Sequence, residues 1–69
     1  MKISARNQLS GKVKKVVHGA VNSEIIIEIA PNVEITSIIT KTSAERLKLE
    51  ENKEVTAIIK ASNVMIGVD

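Results

Sequence analysis

The sequence predicts a mainly β chain in which five short strands curl into a barrel, with one short helix between the third and fourth. Three observations carry that expectation. Hydrophobic residues make up 43% of the chain with no Phe, Trp or Tyr, so any core is built from Ile, Val, Leu, Ala and Met, a largely β-branched inventory. Apolar and polar residues alternate with a period of two along most of the length. The alternation gives way to a helical pattern around residues 42–49.

The first strand is expected over Leu9–His18, with Leu9, Gly11, Val13, Lys15 and Val17 on one face and Ser10, Lys12, Lys14, Val16 and His18 on the other. A break at His18-Gly19-Ala20 precedes the second strand, Asn22–Ala30, where Ile25, Ile27 and Ile29 oppose Glu24, Ile26 and Glu28. Pro31-Asn32 marks a turn, and the third strand follows over Val33–Thr40. In TSAERLKL, Thr42 reads as an N-cap with Glu45 three residues on, a capping box, so a helix of about two turns is expected. The polar stretch Glu50–Lys53 ends it. Strands four and five are expected over Glu54–Lys60 and Val64–Val68, separated by Ala61-Ser62-Asn63. This order, in one domain over residues 1–69, is the OB-like arrangement.

A chain of 69 residues sits near the size where a lone core supplies only ~3–5 kcal/mol. With no cysteine and one histidine, neither a disulfide nor a zinc site can add to that. Ile26, Ile38 and Ile58 fall on outward faces, and an apolar surface buried against other copies would account for them and supply the missing stability. Met65 is expected to fill a gap in the core, and Met1 to have at most a terminal packing role. No apolar run approaches a membrane span, and the N-terminus lacks the layout of a secretory signal. A soluble, cytoplasmic protein is therefore expected. The net charge is +2 and the isoelectric point about 9.2, a bias that permits an anionic ligand without demanding a nucleic acid.

The polar groups that carry chemistry are donors. Arg6 is flanked by Ser4 and Asn7, Lys60 ends the fourth strand, and Thr40, Thr42 and Ser43 surround the helix start, whose free N–H groups and dipole favour an anion. Neither Asp nor Glu occurs within residues 3–17, 35–44 or 55–68. A site of donors alone favours a fully deprotonated dianion, because a protonated phosphate needs an acceptor for its hydrogen. One Arg and one Lys would balance its charge.

Three segments, SARNQLSGKV, EITSIITKTSAERLKL and EVTAIIKASNVMIG, together covering most of the chain, resemble the molbindins, small cytoplasmic molybdate-binding proteins built from one Mop domain. The resemblance implies a hexamer, a trimer of dimers, with molybdate or tungstate held at subunit interfaces for storage and homeostasis. Carried over by position, the site would use Ser4, Arg6, Thr40, Ser43 and Lys60, joined by backbone amides near Ala5 and Ala61. Ala61 stands where relatives have a serine, which removes one hydroxyl but leaves the main-chain N–H. The resemblance also implies a second class of oxyanion site, for which the turn His18-Gly19-Ala20 is the candidate; if His18 takes part, occupancy there should rise as pH falls through the histidine range.

Two other readings compete. An OB-type single-stranded nucleic-acid module would suit the fold and charge, but such modules stack bases on aromatic side chains, and this chain has none. An enzyme would need a nucleophile–base or paired-carboxylate arrangement that no spacing here supports.

Overall fold

The computed structural model describes residues 1–69. Its elements are β1 (Asn7–His18), β2 (Asn22–Ala30), β3 (Val33–Thr40), α1 (Lys41–Arg46) and β4 (Glu54–Ile59), followed by a single 3₁₀ turn over Ala61–Asn63. The strands form one antiparallel sheet in the order β3-β2-β1-β4.

β1 serves two partners, and this is what curls the sheet. Its residues 12–18 pair with β2 and residues 7–12 with β4. Gly11 stands at the corner between the two ladders. A Cβ built there would lie 2.5 Å from the Glu28 carbonyl oxygen, so only glycine lets the strand turn this closely against β2.

The core lies on the concave side, where Val13, Ile25, Ile27, Ala44 and Ala57 are buried and Val16, Ile29, Ile39, Leu49 and Val55 pack around them. It is small: 6 of 69 residues are buried. A compact monomer of 7.5 kDa would expose ~4200 Å², whereas this chain exposes 5679 Å². The excess reflects a sheet that curls without closing. An open trough of about 1400 Å³ remains, lined by Ile25, Ile27, Ile35, Ile39, Val55 and Ile59 among others. No helix is long and apolar enough to cross a membrane.

The expected fifth strand does not form. Beyond the 3₁₀ turn, Val64–Val68 runs away from the sheet, with Met65, Ile66 and Val68 more than 90% exposed. The segment has strand-forming residues, but the turn carries it away from both edges of its own sheet, and a strand without an edge to pair with leaves its ladder groups to water. Met65 accordingly fills no gap in this core, at 93% exposed. The outward isoleucines behave as expected, with Ile38 and Ile58 exposed and Ile26 half-buried.

β1 begins at Asn7, two residues earlier than alternation suggests, because Asn7 and Gln8 pair with Ile59 and Ile58. Strict alternation also fails inside it. The register shifts between Val13 and Lys15, a bulge that reverses the facing. Val16 rather than Lys15 then joins Val13 against the core, and Lys14 is freed to reach Glu34 and, at 3.9 Å, Glu28. The Glu34 carboxylate holds the Lys14 ammonium above the usual lysine range, first through their hydrogen bond and then through its charge.

The helix starts earlier and ends sooner than TSAE suggests. Thr40, not Thr42, is the N-cap; its Oγ1 accepts the Ser43 N–H at 3.0 Å. The chain leaves β3 directly into the helix, with the Lys41 N–H donating to the Val21 carbonyl, so the first available hydroxyl takes the cap and no Glu45 box forms. At the other end Leu49 N–H donates to Ala44 and Lys48 N–H to Glu45, a Schellman motif with Lys48 at φ 54°. Lys48 holds a left-handed conformation that favours glycine. Lys48→Gly should therefore stabilise the fold by ~0.5–1 kcal/mol, the relieved strain outweighing the added unfolded-chain entropy. Chemical denaturation would show a raised midpoint.

Candidate functional site

The register of the sheet decides which donors meet. Because Asn7 pairs with Ile59, the segment entering β1 and the segment leaving β4 lie side by side. Ser4, Ala5, Arg6, Lys60, Ala61 and Ser62 line one cleft of about 610 Å³ there. Five of the expected site residues thus converge: Ser4, Ala5, Arg6, Lys60 and Ala61.

Two features of this cleft suit an anion. Arg6 and Lys60 have no carboxylate within ion-pairing distance; the only salt bridges in the chain are those of Lys14. The backbone N–H groups of Ser4, Ala5 and Arg6 donate to nothing within the chain. A run of free backbone donors beside two unpaired cations is an anion-attracting surface.

Ser62 and Asn63 also line the cleft, and the sequence reading did not single them out. The signal was present: both follow Lys60-Ala61 directly, and a tight turn after a strand brings consecutive residues to one place.

Thr40 and Ser43 lie elsewhere. Thr40 pairs with Asn22, beside Ser23, which pairs with His18 at the far end of β1. The 12 residues of β1 separate them from Asn7, a strand contour on the order of 40 Å. Thr40 Oγ1 donates to Ser43 Oγ at 2.8 Å, leaving the Ser43 hydroxyl hydrogen to be offered outward. α1 has 6 residues, too few aligned peptides for a substantial dipole, so this end offers hydroxyls rather than a helix field.

The turn at His18 offers an anion fewer main-chain donors than the glycine there suggests. The Gly19 N–H is committed to the Asn22 carbonyl at 2.7 Å, which removes it as an anion donor and leaves only the Ala20 N–H, which has no partner in the chain. His18 Nδ1 shares a hydrogen bond of 2.7 Å with Ser23 Oγ, whose residue is 1% exposed. The ring thereby satisfies a buried hydroxyl and keeps Nε2 for another contact.

Residues 3–66 match the model of the TOBE domain. The chain belongs to the TOBE family. This TOBE domain is 52% identical over 66 residues to molybdenum-pterin-binding protein 3 of Clostridium pasteurianum, an alignment covering 96% of this chain and 97% of that one. Among solved structures it is similar to MopII of the same organism, with a TM-score of 0.90, 48% identity, and 97% and 100% of the two chains covered. It also matches the cytoplasmic molybdate-binding protein ModG, in a form with molybdate bound, at a TM-score of 0.94 and 43% identity, covering all of this chain and 49% of that one. These likenesses cover nearly all of this chain and place it among the small Mop-type members of the family.

Proposed function

We propose that this chain binds molybdate, and tungstate in the same way, at interfaces between copies in a cytoplasmic hexamer, a trimer of dimers, and that it serves molybdenum storage and homeostasis without catalysis. The observation that carries the reading is the separation of the donors. One cluster, Ser4, Ala5, Arg6, Lys60 and Ala61, stands at one end of β1, while Thr40 and Ser43 stand at the other. An anion only a few ångströms across cannot touch both within one chain. Two copies packed so that one chain's cleft faces the other's Thr40–Ser43 corner would close a site of donors alone.

The chemistry of that site selects its ligand. Arg6 and Lys60 match a charge of minus two, so enclosing the ion leaves no net charge in low dielectric. With no carboxylate present to accept a proton, a deprotonated tetrahedral oxyanion is preferred over hydrogen phosphate. Tungstate has the size and charge of molybdate, whereas sulfate has shorter bonds to oxygen and fills the same enclosure poorly. The relatives named as molybdenum-pterin-binding proteins and the molybdate-bound ModG structure support this choice of ion.

Association is supported independently. The surface in excess of a compact monomer is of the order one partner contributes to a specific interface, ~800 Å² or more. The apolar tail Val64–Val68 and the open trough each need covering. A second oxyanion position beside His18 and the Ala20 N–H belongs to the same proposal, with Gly19 acting only as the turn.

Mixing two defective variants tests the shared site. Arg6→Ala and Ser43→Ala proteins, each expected to bind molybdate poorly alone, are unfolded together in equal amounts and refolded. Random assembly should restore about a quarter of the wild-type sites, since each takes one half from each of two chains. Equilibrium dialysis counts them. Recovery of none would mean that both halves belong to one chain, and a wild-type protein that ignores molybdate would end the whole reading.

A further inference from the structure

We propose that Gln8 is a positioning residue that sets the anion affinity of the Ser4–Arg6 segment without touching the anion; this rests on the reading of the cleft as an oxyanion site. Gln8 stands on β1, paired with Ile58 of β4, so its backbone is fixed by the sheet. Its Nε2 donates to the Ala5 carbonyl oxygen at 2.8 Å, reaching back across Arg6 to a segment that belongs to no strand or helix.

The consequence follows from peptide geometry. The Ala5–Arg6 peptide is trans, so the Ala5 carbonyl and the Arg6 N–H point in opposite directions. Tying the carbonyl toward Gln8 fixes the orientation of the Arg6 N–H as well. The N–H groups of Ser4, Ala5 and Arg6 have no other partner in the chain, and no other hydrogen bond holds this stretch. Without the tether the Ala5–Arg6 peptide is free to rotate, exchanging a donor for a carbonyl lone pair, the one kind of group this site excludes. The Gln8 amide is neutral, so it orders the segment without adding charge.

Gln8→Met keeps the length and volume of the side chain and removes the donor. Molybdate titration of the assembled variant should show affinity weakened by about 3- to 10-fold, the value of one exposed hydrogen bond, with subunit number by native mass spectrometry and melting temperature unchanged. The amide order parameter of Arg6 should fall in the ligand-free variant, while those of β1 stay level. Gln8→Lys, which returns a donor, should restore affinity to within about 2-fold at a salt concentration that screens its added charge. Wild-type affinity in Gln8→Met overturns the proposal, as does a loss accompanied by altered assembly or melting. Absence of molybdate binding by the wild-type protein would instead remove the reading of the cleft itself, and this role with it.

Discussion

Replacing Arg6 by alanine is expected to lower molybdate affinity by about 100-fold or more, the largest single loss any side chain of the cleft should produce. Arg6 has no carboxylate partner within the chain, so its charge is not already neutralised before the anion arrives. Enclosing a dianion opposite Arg6 and Lys60 desolvates both partners, and removing one of a desolvated pair costs ~3–5 kcal/mol because the remaining charge is left uncompensated. At ~1.4 kcal/mol per decade, that is roughly two to three and a half orders of magnitude. Arg6→Lys separates charge from shape: it keeps the cation but loses the planar fork that gives two parallel bonds. About a tenfold loss is expected for it, the value of one charge-assisted hydrogen bond. Calorimetric titration with molybdate and tungstate measures both variants, with native mass spectrometry showing that the assembly is intact. Wild-type affinity in Arg6→Ala would remove this residue from the site.

The sequence exposed the parts of this molecule that depend on local alternation, and hid those that depend on which edge a strand meets. β2 and β3 are legible to the residue because Ile25, Ile27 and Ile29 recur at every second position despite the apolar Ile26 between them, and Pro31-Asn32 closes the turn. β1 is legible as a strand but not in its facing, since one bulged residue after Val13 reverses everything beyond it and leaves no mark in composition. Val64–Val68 reads as a strand and is apolar enough to be one, yet its own sheet offers it no edge. Alternation reports a readiness to pair, not the identity of the partner. The same distinction governs the site. The donors were visible because the segments that hold them lack Asp and Glu. Their division between the two ends of β1 became visible only through the pairings Asn7 with Ile59 and Asn22 with Thr40. Thr40 was legible as a donor but not as the helix cap, because its role depends on how directly β3 runs into α1.

Gly11→Ala is expected to be the most damaging single-methyl change in the chain. The added Cβ would stand 2.5 Å from the Glu28 carbonyl oxygen, 3.0 Å from Ile27 Cγ2 and 3.1 Å from Ile29 Cδ1. The nearest of these is backbone in the middle of the sheet, so relief requires β1 to move away from β2 at the point where it passes from one ladder to the other. That movement disturbs the packing of Val13 and Ile27, both in a core of only 5 buried apolar residues. Forced overpacking of this kind costs ~2–3 kcal/mol, which for a domain of this size lowers the melting temperature by roughly 10–20 °C. Gly67→Ala is the matched comparison, because nothing lies within 4 Å of a Cβ at Gly67 in the single chain. Thermal unfolding followed by circular dichroism should show a large drop for the first and little change for the second, at equal protein concentration so that assembly contributes alike. Equal melting temperatures for Gly11→Ala and wild type would mean that the corner has room to relax, and that β1 can curl the sheet without a glycine. A curl that survived the methyl would also leave the cleft in place, since the same corner carries the Asn7 end of β1 across to β4; molybdate affinity measured on the variant below its melting point therefore reports whether fold and site depend on this one close approach together.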